Sequence, residues 1–428
     1  MTTSLGEPKS KPAPSLDFIA QAVREHMASL HAPVPFIPGE TRIPLNVPTY
    51  GSEEVIEALD SLVTTWVTMG KKVKRFEEMW ARYVGVKHAV MTNSGSSANL
   101  LALSALDIQP GDEVITPALT WATTVFPIAQ VGATPVLVDV DRTTYNITPS
   151  AIGQAITKRT RAIMPVHLLG NPCDMDAIMG IAHKYDLAVI EDCCEAHGAE
   201  WNGRKVGSFG DLATYSFFFS HHISTIEGGM VLTNNDAEAD RVRSMRAHGW
   251  IREMAMKGAI AEANPHVDPR FLFATAGYNF RPTEVAGAFG MHQLPRLEGL
   301  IRIRRENAAF FNSALAPYQD WLELPTEAPG TRHTWFAYPV QVREGAPFTS
   351  RVLGDYLESR GLETRPIEAG NIAIQPAMKG VRHRVDGKLT NAQYIHDNAF
   401  FFGNHQGVGP EQRDAIKTYF NEFMRGFK

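Results

Sequence analysis

The sequence lacks any apolar run long enough to cross a membrane, which would need about 18 consecutive apolar residues. Of its 428 residues, 44% are hydrophobic and 20% are charged, as is usual in a globular protein. Residues 1–14 are polar and contain no apolar signal core, so we expect a cytoplasmic protein without membrane association. The net charge of -5 gives no general attraction for nucleic acid. A phosphate-bearing ligand would therefore need a local basic site.

Cysteine is also scarce. The chain has three, Cys173, Cys193 and Cys194, which argues against a disulfide scaffold and fits a reducing compartment. An iron–sulfur cluster is usually held by four thiolates, so this chain cannot build one alone. The adjacent Cys193 and Cys194 follow an apolar run and are expected to be buried small residues. We predict no metal site.

Short apolar runs alternate with helical patterns from residue 87 onward. The runs predicted to be strands are 88–92, 113–117, 135–139, 162–166, 187–191 and 214–218. Such alternation predicts an α/β protein with a mostly parallel sheet covered by helices, whose ligands gather at the carboxyl ends of the strands.

The length of the chain exceeds the usual size of one hydrophobic core. Residues 1–45 contain several prolines around one amphipathic stretch, 16–30, and are predicted to form an N-terminal arm. We expect a large domain over 46–299. Mixed strand and helix signals then predict a smaller α/β domain over 300–428.

Three features lie where predicted strands end. Residues 93–99 are Asn-Ser-Gly-Ser-Ser-Ala-Asn and open a helix, so the free N–H groups and hydroxyls there suit a phosphate. A serine-rich helix cap is the alternative. Asp192 ends another run and could serve a ligand or only cap a helix. Trp121 follows a third strand and could cover a ring or belong to the core.

Several separated segments together resemble one protein family. Residues 216–229, 246–250, 277–282 and 403–406 are similar, in this order, to segments of the DegT/DnrJ/EryC1/StrS sugar aminotransferases. The resemblance reaches almost the whole chain. It implies fold type I of the enzymes that use pyridoxal 5'-phosphate (PLP), with a large domain like that of aspartate aminotransferase and a smaller C-terminal domain.

One residue departs from that family. Counting five residues from Ser216, or eight back from Gly229, places His221 where the family has the lysine that binds PLP covalently. Histidine can move protons near neutral pH but cannot form that link. No lysine occurs between Lys205 and Lys257. We therefore predict His221 as the acid/base group and a cofactor that is not covalently bound, and we assign no role to the neighbouring His222.

The resemblance also implies roles for other residues. The predicted cofactor contacts are Ser96, Ser97, Trp121, Asp192, Glu195, Ser216 and Asn279. Asn279 belongs to the segment with which a neighbouring subunit completes the phosphate site, so a homodimer with shared active sites is implied. The candidates for binding substrate carboxylate or diphosphate are Arg246, Arg252, Arg281 and Arg365. Surface arginines are the alternative reading of each.

The implied activity is a 3-dehydratase that uses the pyridoxamine form of the cofactor (PMP). Its substrate would be a nucleotide-linked 4-keto-6-deoxyhexose, with GDP-4-keto-6-deoxymannose favoured and CDP- or dTDP-linked sugars as alternatives. The product would be a 4-keto-3,6-dideoxy sugar of the kind used in O-antigen lipopolysaccharide, and L-glutamate would regenerate PMP. A transaminase without a covalent lysine and a non-catalytic binding homologue are the other readings.

Overall fold

The computed structural model describes residues 16–32 and 34–427. Within them the strands are β1 (His88–Thr92), β2 (Glu113–Pro117), β3 (Thr134–Val138), β4 (Thr160–Ile163), β5 (Ala188–Asp192), β6 (Glu200–Trp201), β7 (Arg204–Lys205), β8 (Leu212–Ser216), β9 (Gly229–Thr233), β10 (Leu322–Glu323), β11 (Thr331–Arg332), β12 (Ala337–Val342), β13 (Thr364–Pro366), β14 (Arg384–Val385) and β15 (Ala399–Gly403).

The α-helices are α1 (Leu16–Leu30), α2 (Ser52–Val63), α3 (Lys71–Val84), α4 (Gly95–Ala105), α5 (Ala122–Gln130), α6 (Pro149–Ala155), α7 (Met175–Tyr185), α8 (Asp236–Arg246), α9 (Lys257–Glu262), α10 (Glu284–Gln293), α11 (Leu297–Leu315), α12 (Ser350–Ser359), α13 (Thr390–Asn398) and α14 (Pro410–Arg425). None of the helices in the described residues is long and apolar enough to cross a membrane.

An eight-stranded sheet forms the centre of the larger part of the molecule. Its order is β1-β9-β8-β5-β4-β2-β3-β14. All neighbours pair in parallel except β9, which runs antiparallel to both β8 and β1. The prediction of an α/β fold with a mostly parallel sheet is therefore confirmed. The central strands β2, β3, β8 and β9 are buried along their whole length, as expected for strands covered on both faces.

A second, antiparallel sheet lies in the C-terminal part, with the order β10-β12-β15-β13. Helices α11, α12 and α14 cover it around a core of aromatic side chains that includes Phe311, Tyr338, Phe402 and Phe420. The small α/β unit predicted from the sequence is present there.

The limits predicted for the arm and the two domains can be compared with the helices and strands of the structure. The amphipathic stretch 16–30 is helix α1, and residues 1–15 of the predicted arm lie outside the described residues. The predicted boundary at 299/300 falls inside α11, which continues from one part into the other. Strand β14, from the C-terminal part, joins the edge of the large sheet beside β3. A division at the boundary proposed from sequence would therefore cut a continuous helix.

Candidate active site

A cavity of about 450 Å³ opens at the carboxyl ends of the large sheet's parallel strands. Its described lining comes from both parts of the chain and contains no lysine: Leu45, Asn46, Ser94, Gly95, Ser96, Thr120, Trp121, Thr123, Thr124, Val166, Leu168, Asp192, Cys194, Glu195, Ser216, Phe218, Ser220, His221, Glu227, Phe336, Ala337, Arg365, Pro366, Glu368 and Phe401. The sheet thus places its ligand site where parallel α/β folds usually have one.

The N-terminus of α4 forms one end of the cavity. Ser94 caps the helix, and its Oγ accepts a hydrogen bond of 3.1 Å from the backbone N–H of Ser97. A Cβ on Gly95 would lie 2.5 Å from the Cβ of Ser216, so only glycine permits this close approach of helix and strand. Ser96 and Ser216 line the cavity, whereas Ser97, in the same turn as Ser96, does not. The free helix N–H groups and hydroxyls suit an anion.

Asp192, the last residue of β5, is buried beneath the cavity. Its Oδ2 accepts hydrogen bonds from Asn99 Nδ2 at 3.0 Å and Thr124 Oγ1 at 2.8 Å, and its Oδ1 accepts one from the N–H of Cys194 at 3.1 Å. These donors fix the carboxylate group in place. Asp192 is thereby held as a fixed acceptor for a cationic or N–H group inside the cavity.

Trp121 stands at the start of α5 and is 55% exposed, although it is large and apolar. It lines the cavity rather than the core, so the structure does not support the alternative that it is a core tryptophan. An exposed indole on a cavity wall can cover the face of a planar ligand.

His221 lies in the 217–228 loop between β8 and β9 and faces the cavity. Its ring contacts Phe336 and His197, with centroid separations of 5.5 and 5.8 Å. Among the described residues, Nδ1 has no hydrogen-bond partner. Burial, with a smaller contribution from the charge of Arg304, lowers the pKa of His221 to about 3. The lowered pKa favours the neutral imidazole over the charged form.

His222 has a different environment. It is fully buried, and its Nε2 lies 3.0 Å from the carbonyl oxygen of Thr334, to which it donates. It does not line the cavity. The structure thus separates the two adjacent histidines into one that faces the cavity and one that ties the loop to the C-terminal part.

Only one of the four predicted substrate arginines lines this chain's cavity, and that one is Arg365. Arg246 is buried, and its guanidinium is engaged by Glu77 and Glu253 at 2.7 Å each. As a correction to its predicted role, this geometry makes Arg246 a buried structural ion pair. Arg252 lies on the surface over the ring of Trp250, outside the cavity.

Asn279 and Arg281 are exposed and do not line the cavity of their own chain. Arg281 Nε donates to Asn279 Oδ1 at 3.0 Å. Their segment is hydrogen-bonded to the turn at 93–99, which is predicted to bind phosphate. The N–H of Asn93 donates to the carbonyl of Phe280 at 2.9 Å. The pair is thus exposed on the surface, in a segment that is bonded to the turn at 93–99.

A buried group of possible metal ligands, His167, Glu191 and Cys193, has its ligand atoms within 4.8 Å of one another. Glu191 already accepts three backbone hydrogen bonds of 2.8 Å, from residues 207, 209 and 210. Nδ1 of His167 accepts the N–H of Cys173 at 3.0 Å. These groups are satisfied by the protein itself, which explains their burial without an ion.

Sequence reasoning missed Glu368 and Glu227, which also line the cavity. Glu368 follows β13 in a left-handed backbone conformation, with φ of 46°. No local motif marks it, since it reaches the cavity only through the packing of the small sheet. Glu195, which was predicted, accepts the N–H of Leu169 at 2.7 Å through its Oε2.

The fold and this site agree with membership of one protein family. Residues 48–420 match the DegT/DnrJ/EryC1/StrS aminotransferase family, and the chain belongs to it. The family inferred from sequence is confirmed.

Individual relatives are more specific. The chain is 39% identical over 396 residues to GDP-4-keto-6-deoxy-D-mannose 3-dehydratase of Yersinia pseudotuberculosis, covering 89% of this chain and 98% of that protein. It is 35% identical to dTDP-4-dehydro-2,6-dideoxy-D-glucose 3-dehydratase of Saccharopolyspora spinosa, covering 95% and 92%. A crystal structure of GDP-4-keto-6-deoxymannose-3-dehydratase with a trapped PLP–glutamate geminal diamine superposes with a TM-score of 0.83 at 34% identity, covering 88% of this chain and 99% of that one.

Proposed function

We propose that this protein is a 3-dehydratase that removes the C3 hydroxyl of a nucleotide-linked 4-keto-6-deoxyhexose, with GDP-4-keto-6-deoxymannose as the substrate. The observation that carries this proposal is that His221, at the family's lysine position, faces a cavity whose described lining contains no lysine. Two relatives that match along almost their whole length are named as 3-dehydratases, which favours this activity over transamination or a purely binding role.

The cavity fits PLP or PMP without a covalent bond. The N-terminus of α4, with Ser96 and Ser216, would hold the phosphate, Trp121 would cover the ring, and Asp192 would accept from the ring nitrogen. When bound, the cofactor supplies an electron sink and an amine that can react with a keto sugar. The related crystal structure containing PLP and glutamate supports this cofactor and this amino donor.

His221 would move the proton. Its side chain lines the cavity, and burial lowers its pKa, so the neutral imidazole is the resting form and can act as the acceptor. Arg365, at the rim, is the guanidinium available for the carboxylate of glutamate or the diphosphate of the sugar nucleotide. The three free cysteines fit the cytoplasm as the place of reaction.

The direct test supplies purified protein with PLP and L-glutamate and then with GDP-4-keto-6-deoxymannose. We expect ammonia and a 4-keto-3,6-dideoxy product in equal amounts, measured by enzymatic ammonia assay and mass spectrometry. CDP- and dTDP-linked 4-keto-6-deoxy sugars are tested in parallel as alternative substrates, because a relative named for a dTDP sugar is 35% identical to this chain. Formation of an amino sugar instead of ammonia would show a transaminase and contradict the proposal.

We also propose a homodimer in which Asn279 and Arg281 complete the active site of the adjacent subunit. This proposal is supported by the position of the two side chains. Both are exposed outside the cavity of their own chain, in a segment bonded to the turn that would bind phosphate. A nucleotide sugar that extends from the cavity toward a second subunit would meet Arg281 there.

Asn279→Ala is expected to weaken PMP binding by about 3- to 10-fold, the loss of roughly one hydrogen bond to an anion. Fluorescence titration of PMP measures this, and light scattering is expected to show dimers for both proteins. Asn234→Ala, at the far end of β9, is the control and should bind PMP normally. A monomer that binds PMP as tightly as the wild type would rule out the shared site.

A further inference from the structure

Arg304 is a buried arginine whose hydrogen bonds, within the described residues, all go to backbone carbonyl groups. It lies on α11 and is 1% exposed, and its Nε and Nη2 atoms have no partner there. Buried arginines are usually paired with carboxylates, as Arg246 is with Glu77 and Glu253. Burial of a charge without such a partner costs free energy, and local costs of this kind are typical of functional sites.

The carbonyl groups that Arg304 binds belong to two segments of the C-terminal part. Its Nη1 donates to the carbonyl of Phe336 at 2.7 Å, to that of Trp335 at 3.4 Å and to that of Asn404. Asn404 Nδ2 in turn donates to the carbonyls of Arg304 and Trp335, at 3.1 and 3.3 Å. One guanidinium therefore joins α11 to the segment before β12 and to the segment after β15.

The segment before β12 packs against the loop that carries His221. The ring of Phe336 contacts the imidazole of His221, with centroids 5.5 Å apart, and that of His222, with centroids 6.0 Å apart. The carbonyl oxygen of Thr334 lies 3.0 Å from His222 Nε2. This segment is therefore the wall against which both imidazoles rest, and Arg304 holds two of its carbonyl groups.

The charge of Arg304 supports the same arrangement. Burial lowers the pKa of Arg304 to about 9, so the guanidinium remains charged at neutral pH. Burial and, to a smaller extent, this charge lower the pKa of His221. A fixed positive charge near an imidazole disfavours the protonated form of the ring. Arg304 therefore adds an electrostatic contribution to its packing role.

We propose that Arg304 is a positioning residue for His221, which fixes the wall at 334–336 so that the imidazole keeps one orientation toward the cavity. Arg304 does not line the cavity itself, and its role rests on the dehydration proposed above. A displacement of about 1 Å in a reacting group can lower a rate by about 10²-fold. A side chain that fixes the wall can therefore control the rate without taking part in the chemistry.

The next residue of the same helix offers a matched control. Arg305 Nη1 donates to the carbonyl of His333 at 2.7 Å, so it reaches the same segment of the chain. Its guanidinium is also paired with Glu327 at 2.8 Å and is partly exposed. Arg305→Gln therefore removes an arginine from the same helix without touching the carbonyl groups behind His221.

The first measurement is independent of turnover. NMR spectra of protein with labelled histidine give the ring signal of His221, which is assigned by its absence from His221→Asn. In Arg304→Gln we expect this signal to move by more than its line width, because the ring of Phe336 is no longer fixed against it. In Arg305→Gln it should stay in place. An unmoved signal in folded Arg304→Gln would overturn the proposal.

The second measurement is a double-mutant cycle with His221→Asn. Arg304→Gln alone is expected to lower the rate of dehydration by about 10- to 100-fold, while the affinity for PMP and the KM for the sugar stay within a few-fold of wild type. In the His221→Asn background the same change should have little further effect, because Arg304 acts through His221. Equal fold losses in both backgrounds would show a role in the fold alone and contradict the positioning role.

Two further outcomes are distinguishable. If the wild type dehydrates none of the sugars while Arg304→Gln moves the His221 signal, the proposed function fails and the positioning role stands. If Arg304→Gln does not fold, Arg304→Lys replaces it in both measurements. Lysine keeps a cationic donor but lacks the planar guanidinium, so the same changes are expected with a smaller size.

Discussion

His221→Asn is expected to lower the rate of dehydration by about 10⁴-fold, the upper end for one positioned acid–base group. Asparagine keeps a polar side chain of similar reach at the cavity wall but cannot accept the proton. Cofactor binding should be retained, because the helix terminus, Trp121 and Asp192 remain in place. Ammonia release from the keto sugar measures the rate of dehydration, and titration with PMP measures cofactor binding.

His222→Asn is the matched control, since the same substitution is made one residue along the chain. It removes a buried ring that donates to the Thr334 carbonyl, so the folded state should lose about 1–3 kcal/mol of stability. Folded protein should nevertheless dehydrate at a rate near that of the wild type. If His222→Asn abolished ammonia release and His221→Asn did not, the assignment based on spacing would be wrong by one residue. If neither change reduced it, no histidine of this loop would be the base.

The second large expected effect concerns covalent attachment of PLP, which should occur in one variant and not in the wild type. His221→Lys is expected to attach PLP covalently, because a lysine amine at the cavity wall can react with the cofactor's aldehyde. Borohydride reduction followed by intact mass measurement should then show one cofactor per chain. The wild type should gain no mass, because its described cavity lining contains no lysine.

Dehydration should be suppressed in His221→Lys, because the cofactor is tethered in its aldehyde form and the imidazole is lost. His221→Asn is the control for the loss of imidazole alone and should show no mass gain. An adduct on any lysine of the reduced wild type would refute the freely bound cofactor. A visible absorption band in His221→Lys that is missing from His221→Asn would give a second, optical measure of attachment.

The strands of the large sheet were predictable where apolar runs are continuous and bounded by turn residues. Strands β1 and β2 have the predicted limits, and β3, β4, β5 and β8 lie within one to three residues of them. Strand β9 was not assigned. Strand β9 runs antiparallel to both of its neighbours, β1 and β8. The direction of a short buried strand cannot be predicted from its own residues.

The site was predictable where a motif is contiguous, and less so where partners are distant in sequence. Ser96 of the turn at 93–99, Trp121, Asp192 and His221 line one cavity, whereas Ser97 of the same turn does not. For Arg246 the sequence could not show that Glu77, 169 positions away, occupies its guanidinium. Glu368 escaped notice for the same reason, because it reaches the cavity only when the small sheet packs against the large one.

The loop that carries His221 is closed at both ends by the sheet. Ser216 pairs with Gly229, the N–H of Phe217 donates to the carbonyl of Gly228, and that of Thr225 donates to the carbonyl of Phe217. None of these bonds uses the side chain at 221. The hydrogen bonds that close the loop therefore do not depend on which side chain stands at 221, so the same backbone can present a different reactive group to the cavity.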